Sequence, residues 1–279
     1  MIVAVEIALV AILGFFLLYL ALLSVLALLV QKHPTMRTSQ FRKMAVIIPA
    51  HNEESSIERT VHSLLAVDYP RECFDVIVVA DNCSDRTAEI ARRLGATVYE
   101  RQDPTFRGKG HALSWCFALL LSGRSQYEAM VIVDADSLVS RNFLTVMNWY
   151  LENRARAVQC SDMVMPQPGV WSSEVTRVGF LLYNFVRPLG RRVIGCSAGL
   201  RGTGMCFAAD TLRSVPWNAY SLAEDLEYGL ELVVHGVTVV FAPEASVHSP
   251  MPQSAANAES QRARWEAGRF PLVRKYAGR

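Results

Sequence analysis

The sequence predicts an α/β protein with a mostly parallel sheet, flanked by helices and preceded by one N-terminal transmembrane helix. Three observations carry this. Short apolar runs alternate with helix-like segments, acids stand just past three of those runs, and no charged residue occurs from Ile7 to Val30. A strand covered on both faces reads as an unbroken apolar run. Alternation of such strands with helices builds right-handed crossovers and a parallel sheet. Sheets of this kind bind ligands beyond the carboxyl ends of their strands.

The chain has 279 residues, 51% of them hydrophobic, enough for one large domain with a substantial core. Its net charge of +2 gives no footprint for nucleic acid. The uncharged N-terminal stretch is long enough to cross a bilayer. A cleaved signal peptide would have a basic start and a shorter apolar run, so residues 1–30 read as a retained anchor. Lys32, Arg37, Arg42 and Lys43 follow in a polar, basic linker, residues 31–43. The positive-inside bias then places the domain at 44–279 in the cytoplasm, on a single-pass protein of the cell membrane. Cys73, Cys83, Cys116, Cys160, Cys196 and Cys206 include no C-x-x-C pair and read mostly as reduced, buried thiols.

Ala45-Val46-Ile47-Ile48 is a first buried strand, stopped by Pro49. Ser55-Ser56-Ile57-Glu58 has the pattern of a capping box and opens a helix to about Ala66. Val76 to Ala80 is a second strand ending at Asp81. Ser84 can cap a helix to Leu94 that Gly95 ends. Thr97-Val98-Tyr99 is a third strand, and a helix from about Gly110 to Leu121 leads to a fourth, Met130 to Val133. Residues 172–192 are helical and apolar, which suits a core helix or one lying on a membrane surface. Leu222, Leu226, Leu230, Val233 and Val234 give the helix Ala223 to His235 one apolar face, and Val237 to Phe241 is a last strand.

Asp134-Ala135-Asp136 follows the fourth strand. Two carboxylates one residue apart can share a hard divalent cation that also holds phosphates, although Asp is equally at home in a polar turn. Asn52 with Glu53, and Asp81, stand at the ends of two neighbouring strands. Lys109 lies between glycines, where a lysine suits phosphate. Gly202-Thr203-Gly204 permits close backbone approach beside a strand. Glu224 and Asp225 open a helix, where the dipole stabilises acids and where a carboxylate can serve as a general base. Arg264 offers a fork for phosphate or carboxylate, and Trp265 beside it offers a flat face for a sugar ring. His51, His111 and His248 are lone histidines; His248 follows the last strand and is a candidate further metal ligand.

Together these residues resemble the family 2 glycosyltransferases of the GT-A nucleotide-diphospho-sugar transferase fold, over about residues 43–270. The motifs come in the family's order: Pro49-Ala50-His51-Asn52-Glu53-Glu54, Asp81-Asn82-Cys83-Ser84-Asp85, Gly108-Lys109, Asp134-Ala135-Asp136, Glu224-Asp225, then Gln261 with Arg264-Trp265. The resemblance implies that Pro49, Ala50, Glu53 and Asp81 hold uracil and ribose and that Lys109 lies near the nucleotide. It implies that Asp134 and Asp136 form a D-x-D motif, Asp136 binding Mg²⁺ or Mn²⁺ on the donor diphosphate. Asp225 would be the catalytic base. Glu224 would stand beside it on the acceptor side. Gln261, Arg264 and Trp265 would form Q-x-x-R-W against diphosphate and acceptor.

The implied activity is inverting transfer from a UDP-sugar to a lipid-linked or polysaccharide acceptor. Q-x-x-R-W is typical of the processive synthases of cellulose, hyaluronan and chitin, which continue into channel-forming membrane helices. Residues 266–279 add no such segment. The expectation is therefore limited transfer, or a processive subunit that takes its channel from membrane partner subunits. A non-catalytic nucleotide-sugar-binding membrane subunit is the remaining alternative. A sugar nucleotidyltransferase would need a Gly-rich, Arg-containing loop where His51-Asn52-Glu53-Glu54 stands.

Overall fold

Strand alternation sorts the apolar side chains of the central sheet into two cores. Val46, Ile48, Val76, Val78, Ala129 and Val131 face one; Ala45, Ile47, Ile77, Val79, Met130 and Ile132 face the other. Both faces are covered, which is why these strands read as unbroken apolar runs. The computed structural model describes residues 2–30, 36, 38–123, 125–165, 171–250 and 255–277. Within its helices, the side chains of residues 2, 4, 171–174, 255–262 and 264–265 lie outside that description.

The elements in order are α1 (Ile2–Leu28), β1 (Met44–Ala50), α2 (Ile57–Leu65), β2 (Phe74–Asp81), α3 (Thr87–Arg93), β3 (Thr97–Arg101), α4 (Lys109–Leu121) and β4 (Ala129–Ile132). There follow β5 (Leu138–Val139), α5 (Phe143–Glu152), β6 (Ala157–Val164), α6 (Trp171–Leu181), a π-wound turn (Leu182–Val186) and α7 (Arg187–Val193). The chain continues through β7 (Met205–Ala208), α8 (Ala209–Ser214), α9 (Glu224–Val234), β8 (Val239–Ser249) and α10 (Ala255–Tyr276).

The sheet order is β3-β2-β1-β4-β7-β6-β8-β5. β3, β2, β1 and β4 are parallel, as the alternating sequence requires. β7 runs antiparallel to β4 and β6, β8 runs parallel to β6, and β5 is antiparallel to β8. The GT-A α/β expectation holds: a parallel half carrying the first βα units and a mixed half built from the second part of the chain.

Local capping differs from expectation. Ser56 precedes α2 without capping it; its hydroxyl donates to the Glu53 carboxylate at 2.6 Å. At α3 the capping acceptor is Asp85, whose Oδ1 takes the Thr87 N–H at 3.0 Å, and Ser84 has no such role. Gly95, at φ +84°, does end that unit in the left-handed region. The apolar stretch at 172–192 is not a core helix: Val175, Val178 and Leu182 are exposed, while Asn184 and Leu189 point inward. Among the described residues all six cysteines are free, with Cys196 exposed.

Val5–Leu28 of α1 is long and apolar enough to cross a membrane. Among its described side chains, Leu23 alone is fully buried. There α1 passes α7 backbone to backbone: a side-chain carbon on Gly190 would lie 2.2 Å from the Leu23 carbonyl oxygen. Only glycine permits that approach. The C-terminal part of α1 therefore docks on the domain through α7.

Candidate active site

The parallel strand ends open a cleft of about 320 Å³ lined by Pro49, Ala50, His51, Asp81, Asn82, Arg107, Gly108 and Lys109. Two left-handed asparagines turn the chain away at its floor, Asn52 (φ 56°) after β1 and Asn82 (φ 51°) after β2. Asparagine tolerates this region because its short side chain bonds locally. Asn52 Oδ1 accepts the Ser84 N–H, and Asn82 Oδ1 accepts that of Asp103, each at 2.8 Å. Asp81 is buried and held by Arg101, Nη1 to Oδ1 at 2.6 Å. His51 Nδ1 lies 2.7 Å from the Asp81 carbonyl. Pro49, Ala50, Asp81 and Lys109 thus meet in one cleft. Glu53 stands beyond it, tied to Ser56, with its charge toward Asp136.

The acidic triplet leaves β4 under tight control. The Asp134 N–H donates to Thr203 Oγ1 at 3.1 Å, and the Ala135 carbonyl accepts the Thr60 hydroxyl at 2.8 Å. The Asp134 carbonyl accepts the Ser137 N–H at 3.1 Å, and the Ser137 hydroxyl reaches Asp136 Oδ1 at 3.3 Å. Burial, with Asp134 and Glu53 beside it, pushes the Asp136 carboxyl above its ordinary range. His248 pairs in register with Leu138, two residues past the triplet, but its Nε2 contacts the Ser246 hydroxyl at 3.1 Å.

Lys109 is the hub. Its ammonium bonds Asp134 Oδ1 and the Gly202 carbonyl (2.8 Å) and lies 3.8 Å from Glu224 Oε1. Burial would lower its pKa, yet Asp134, Glu224 and Asp225 outweigh that and raise it. A side-chain carbon on Gly202, at φ +86°, would lie 3.4 Å from Lys109 Nζ and 3.8 Å from Asp225 Oδ2. The first turn of α9 is thereby brought against the triplet from across the sheet. Burial raises both the Glu224 and the Asp225 carboxyls.

Behind this hub lies a polar network that sequence reasoning missed. Asp162 on β6 accepts the Asn184 amide at 3.1 Å, and Asn184 Oδ1 accepts Arg201 Nε at 3.1 Å. Gln159 holds the Arg201 N–H (2.9 Å) and the Thr203 carbonyl (2.9 Å). Burial and the nearby Asp134 charge push Asp162 up to about 7. The available signal was position: Arg201 directly precedes Gly202-Thr203-Gly204, and Asp162 interrupts an otherwise buried strand. The Gln261, Arg264 and Trp265 side chains lie outside the described residues. Their helix α10 meets the start of α9 at Gly268, where an added carbon would lie 2.9 Å from the Ala223 nitrogen.

Asp134 and Asp136 offer hard oxygen donors, the chemistry Mg²⁺ and Mn²⁺ take, and such ions keep waters and substrate phosphates in the remaining positions. The raised Asp136 carboxyl, crowded by two other acids, fits a cation held jointly with a diphosphate. Among the described residues no three His, Cys, Asp or Glu side chains converge to hold a metal alone.

The sheet order, with its cleft beyond the parallel strand ends, is that of a GT-A nucleotide-sugar transferase. The sequence profile of the glycosyltransferase-like family 2 matches residues 42–268, and the chain belongs to that family. It is similar to the probable glycosyltransferase YdaM of Bacillus subtilis, 26% identical over 243 residues, 84% of this chain and 57% of the relative. It is 25% identical to the beta-monoglucosyldiacylglycerol synthase of Synechocystis over 86% of this chain and 50% of the relative. The poly-beta-1,6-N-acetyl-D-glucosamine synthase of Staphylococcus aureus is 21% identical over 85% and 57%. The chain thus spans little more than half the length of these relatives.

Among solved structures, the mannosyltransferase PcManGT of Pyrobaculum calidifontis with GDP-Man and Mn²⁺ superposes with a TM-score of 0.72, at 22% identity, over 97% of this chain and 75% of that one. S. aureus TarS with UDP-GlcNAc gives 0.56 at 16% identity, over 76% and 59%. At these identities the likeness is one of fold.

Proposed function

We propose that the protein is an inverting, metal-dependent glycosyltransferase that moves a sugar from a UDP-sugar to a lipid-linked or saccharide acceptor at the cytoplasmic membrane face. The observation that carries this is the convergence at Gly202, where an added side-chain carbon would lie 3.4 Å from Lys109 Nζ, itself paired with Asp134, and 3.8 Å from Asp225 Oδ2. In this reading a group that handles a diphosphate and a candidate base stand together beside one reacting position.

In this reading Pro49, Ala50 and Asp81 seat the nucleoside, and Asp134 and Asp136 hold Mg²⁺ or Mn²⁺ together with the diphosphate. When bound, the ion neutralises charge growing on the leaving group. Lys109, fully protonated, adds a fixed positive charge beside the same oxygens. The acceptor hydroxyl attacks the anomeric carbon and its proton passes to Asp225. A carbon–oxygen bond to the acceptor forms as the bond to the diphosphate breaks, and the electron pair leaves on the diphosphate. One displacement inverts the centre, with no need for a second nucleophilic carboxylate. Gln261, Arg264 and Trp265 complete the diphosphate and acceptor contacts.

Two relatives named for a glucosyldiacylglycerol and a poly-N-acetylglucosamine support a membrane-borne or polymeric acceptor, as does the docking of α1 on the domain. The test is nucleotide release from a panel of UDP- and GDP-sugars with Mn²⁺ or Mg²⁺, by the full chain in lipid. Metal-dependent release from a UDP-sugar is expected. Release from GDP-sugars alone would move the donor assignment, and no release from any donor would favour a binding subunit.

A further inference from the structure

The aromatic ring of Tyr183 carries two guanidinium groups. Arg187 Cζ lies 3.8 Å and Arg201 Cζ 4.9 Å from its centroid. They arrive from different elements, Arg187 from α7 and Arg201 from the loop before β7. Arg187 Nε and Arg201 Nη2 are buried with no hydrogen-bond partner among the described residues. Neither guanidinium has a carboxylate within salt-bridge distance among the described residues. Buried polar groups are almost always paired, so orphaned donors of a charged group call for an explanation. Two on one ring form a ready cradle for an anion with several acceptor oxygens.

The surroundings reinforce the charge. Burial pushes the Tyr183 phenol up, yet Arg187, Arg201 and Arg269 outweigh it and hold it below its ordinary range. Arg269, from α10, adds its charge to that of the two stacked guanidiniums. The π winding of Leu182–Val186 helps to build the cradle. It turns Asn184 inward to Asp162 and Arg201 while Leu182 stays exposed. π turns of this kind cluster at functional sites.

Position identifies the anion's source. On one side the cradle adjoins the candidate base, because Arg201 is followed by Gly202, whose added carbon would lie 3.8 Å from Asp225 Oδ2. On the other, α7 runs from Arg187 to Gly190, where it meets the membrane-length helix α1 at Leu23. Exposed Val178 and Leu182 precede Tyr183, and exposed Val193 and Ile194 follow Gly190. The cradle lies between the base and the apolar surface beside α1. The donor cleft has Arg107 and Lys109 for its own phosphates.

We infer that Arg187 and Arg201, stacked on Tyr183, form an anion site for the phosphate of a lipid acceptor that enters from the face α1 anchors. The word acceptor rests on the glycosyl-transfer reading; the phosphate-lipid site does not.

The test uses the full chain in phosphatidylcholine nanodiscs, followed by calorimetry. It is titrated with dihexanoyl phosphatidic acid, with dihexanoylglycerol, which lacks the phosphate, and with inorganic phosphate. Phosphatidic acid is expected to bind, dihexanoylglycerol not to, and inorganic phosphate to bind more weakly than the lipid. Arg187→Gln and Arg201→Gln should each weaken phosphatidic acid about tenfold, the worth of a charged hydrogen bond. UDP affinity with Mn²⁺ should hold in both. Arg187→Lys, which keeps the charge and loses the fork, should fall between, and separates a binding loss from a folding loss. Equal binding of the two lipids, or wild-type affinity in both glutamine variants, overturns the site. A parallel loss of UDP affinity assigns the arginines to the donor, and phosphate binding as tightly as the lipid overturns the lipid source. Absent nucleotide release with lipid binding intact would remove the transfer reading and leave the anion site standing.

Discussion

The two halves of the cleft handle buried charge in opposite ways. In the parallel half, Asp81 and Arg101 are both buried and satisfy one another, and Arg101 also bonds Asp103 and the Phe106 carbonyl. In the mixed half, Asp162, Asp225, Arg187 and Arg201 are gathered without direct ion pairs among the described residues, and two of the arginine donors are orphaned. A buried pair that is complete fixes geometry, whereas buried charge left incomplete is free energy held for a ligand. In the proposed reading, the parallel half is finished before substrate arrives and the mixed half is finished by it.

The largest expected effect breaks the mixed half at its base. Asp225→Asn keeps the shape and removes the proton acceptor, so kcat should fall about 10²–10⁴-fold while UDP binding persists. Burial raises the Asp225 carboxyl, so the acid limb of the wild-type kcat/KM profile should lie above the ordinary aspartate value of about 3.9. The variant should lose that limb. Near-normal turnover in Asp225→Asn would remove the base assignment.

The second effect tests the claim of completeness. Arg101→Ala leaves Asp81 buried and unpaired, which should cost about 3–5 kcal/mol and lower the melting temperature by about 10 °C. Arg187→Met, which removes a stacked cation with an orphaned donor, should cost less than half as much. Equal losses at the two sites would erase the distinction between the halves.

Legibility in the sequence follows the same division. The parallel half was readable because its signals are local: apolar runs buried on both faces, a left-handed glycine at 95, and acids placed at strand ends by the sheet itself. The positions of Asp81 and Lys109 in the cleft follow from their neighbours in the chain. The mixed half is assembled from residues far apart in the chain. Nothing local links Asp162, Asn184 and Arg201, and the apolar stretch 172–192 reads as a core or a membrane-surface helix until its π turn is seen to face Asn184 inward and Leu182 out. Capping failed for a related reason: Ser56 turns to Glu53, and Asp85 outbids Ser84 because its carboxylate already points along the loop to Thr87.

A third effect addresses the junction of the halves. Asp136→Ala removes one of two carboxylates proposed to hold the cation with the diphosphate. UDP affinity in Mn²⁺ should drop about tenfold and lose its dependence on the metal. Calorimetric UDP binding that still strengthens on adding Mn²⁺ would move the metal elsewhere.

The smallest effect concerns stability alone, at Asp162, whose carboxyl is pushed by burial and Asp134 to about 7. An unfolded aspartate titrates near about 3.9. The folded state therefore binds this proton more tightly, and the site costs stability once the pH rises above the unfolded value, fully so above the folded one. Asp162→Asn removes that cost and keeps an acceptor oxygen for Asn184. Its melting temperature should exceed wild type at pH 8, by about 2–4 °C per kcal/mol of relieved cost. The gain should shrink as pH falls through 7 and vanish near pH 4, where both forms of the site are neutral. A gain that is constant with pH would mean that folding does not shift the Asp162 titration, so that packing rather than charge sets the difference. A loss at pH 8 would show that its charge is matched by Arg201 after all, and that the mixed half is as complete as the parallel one.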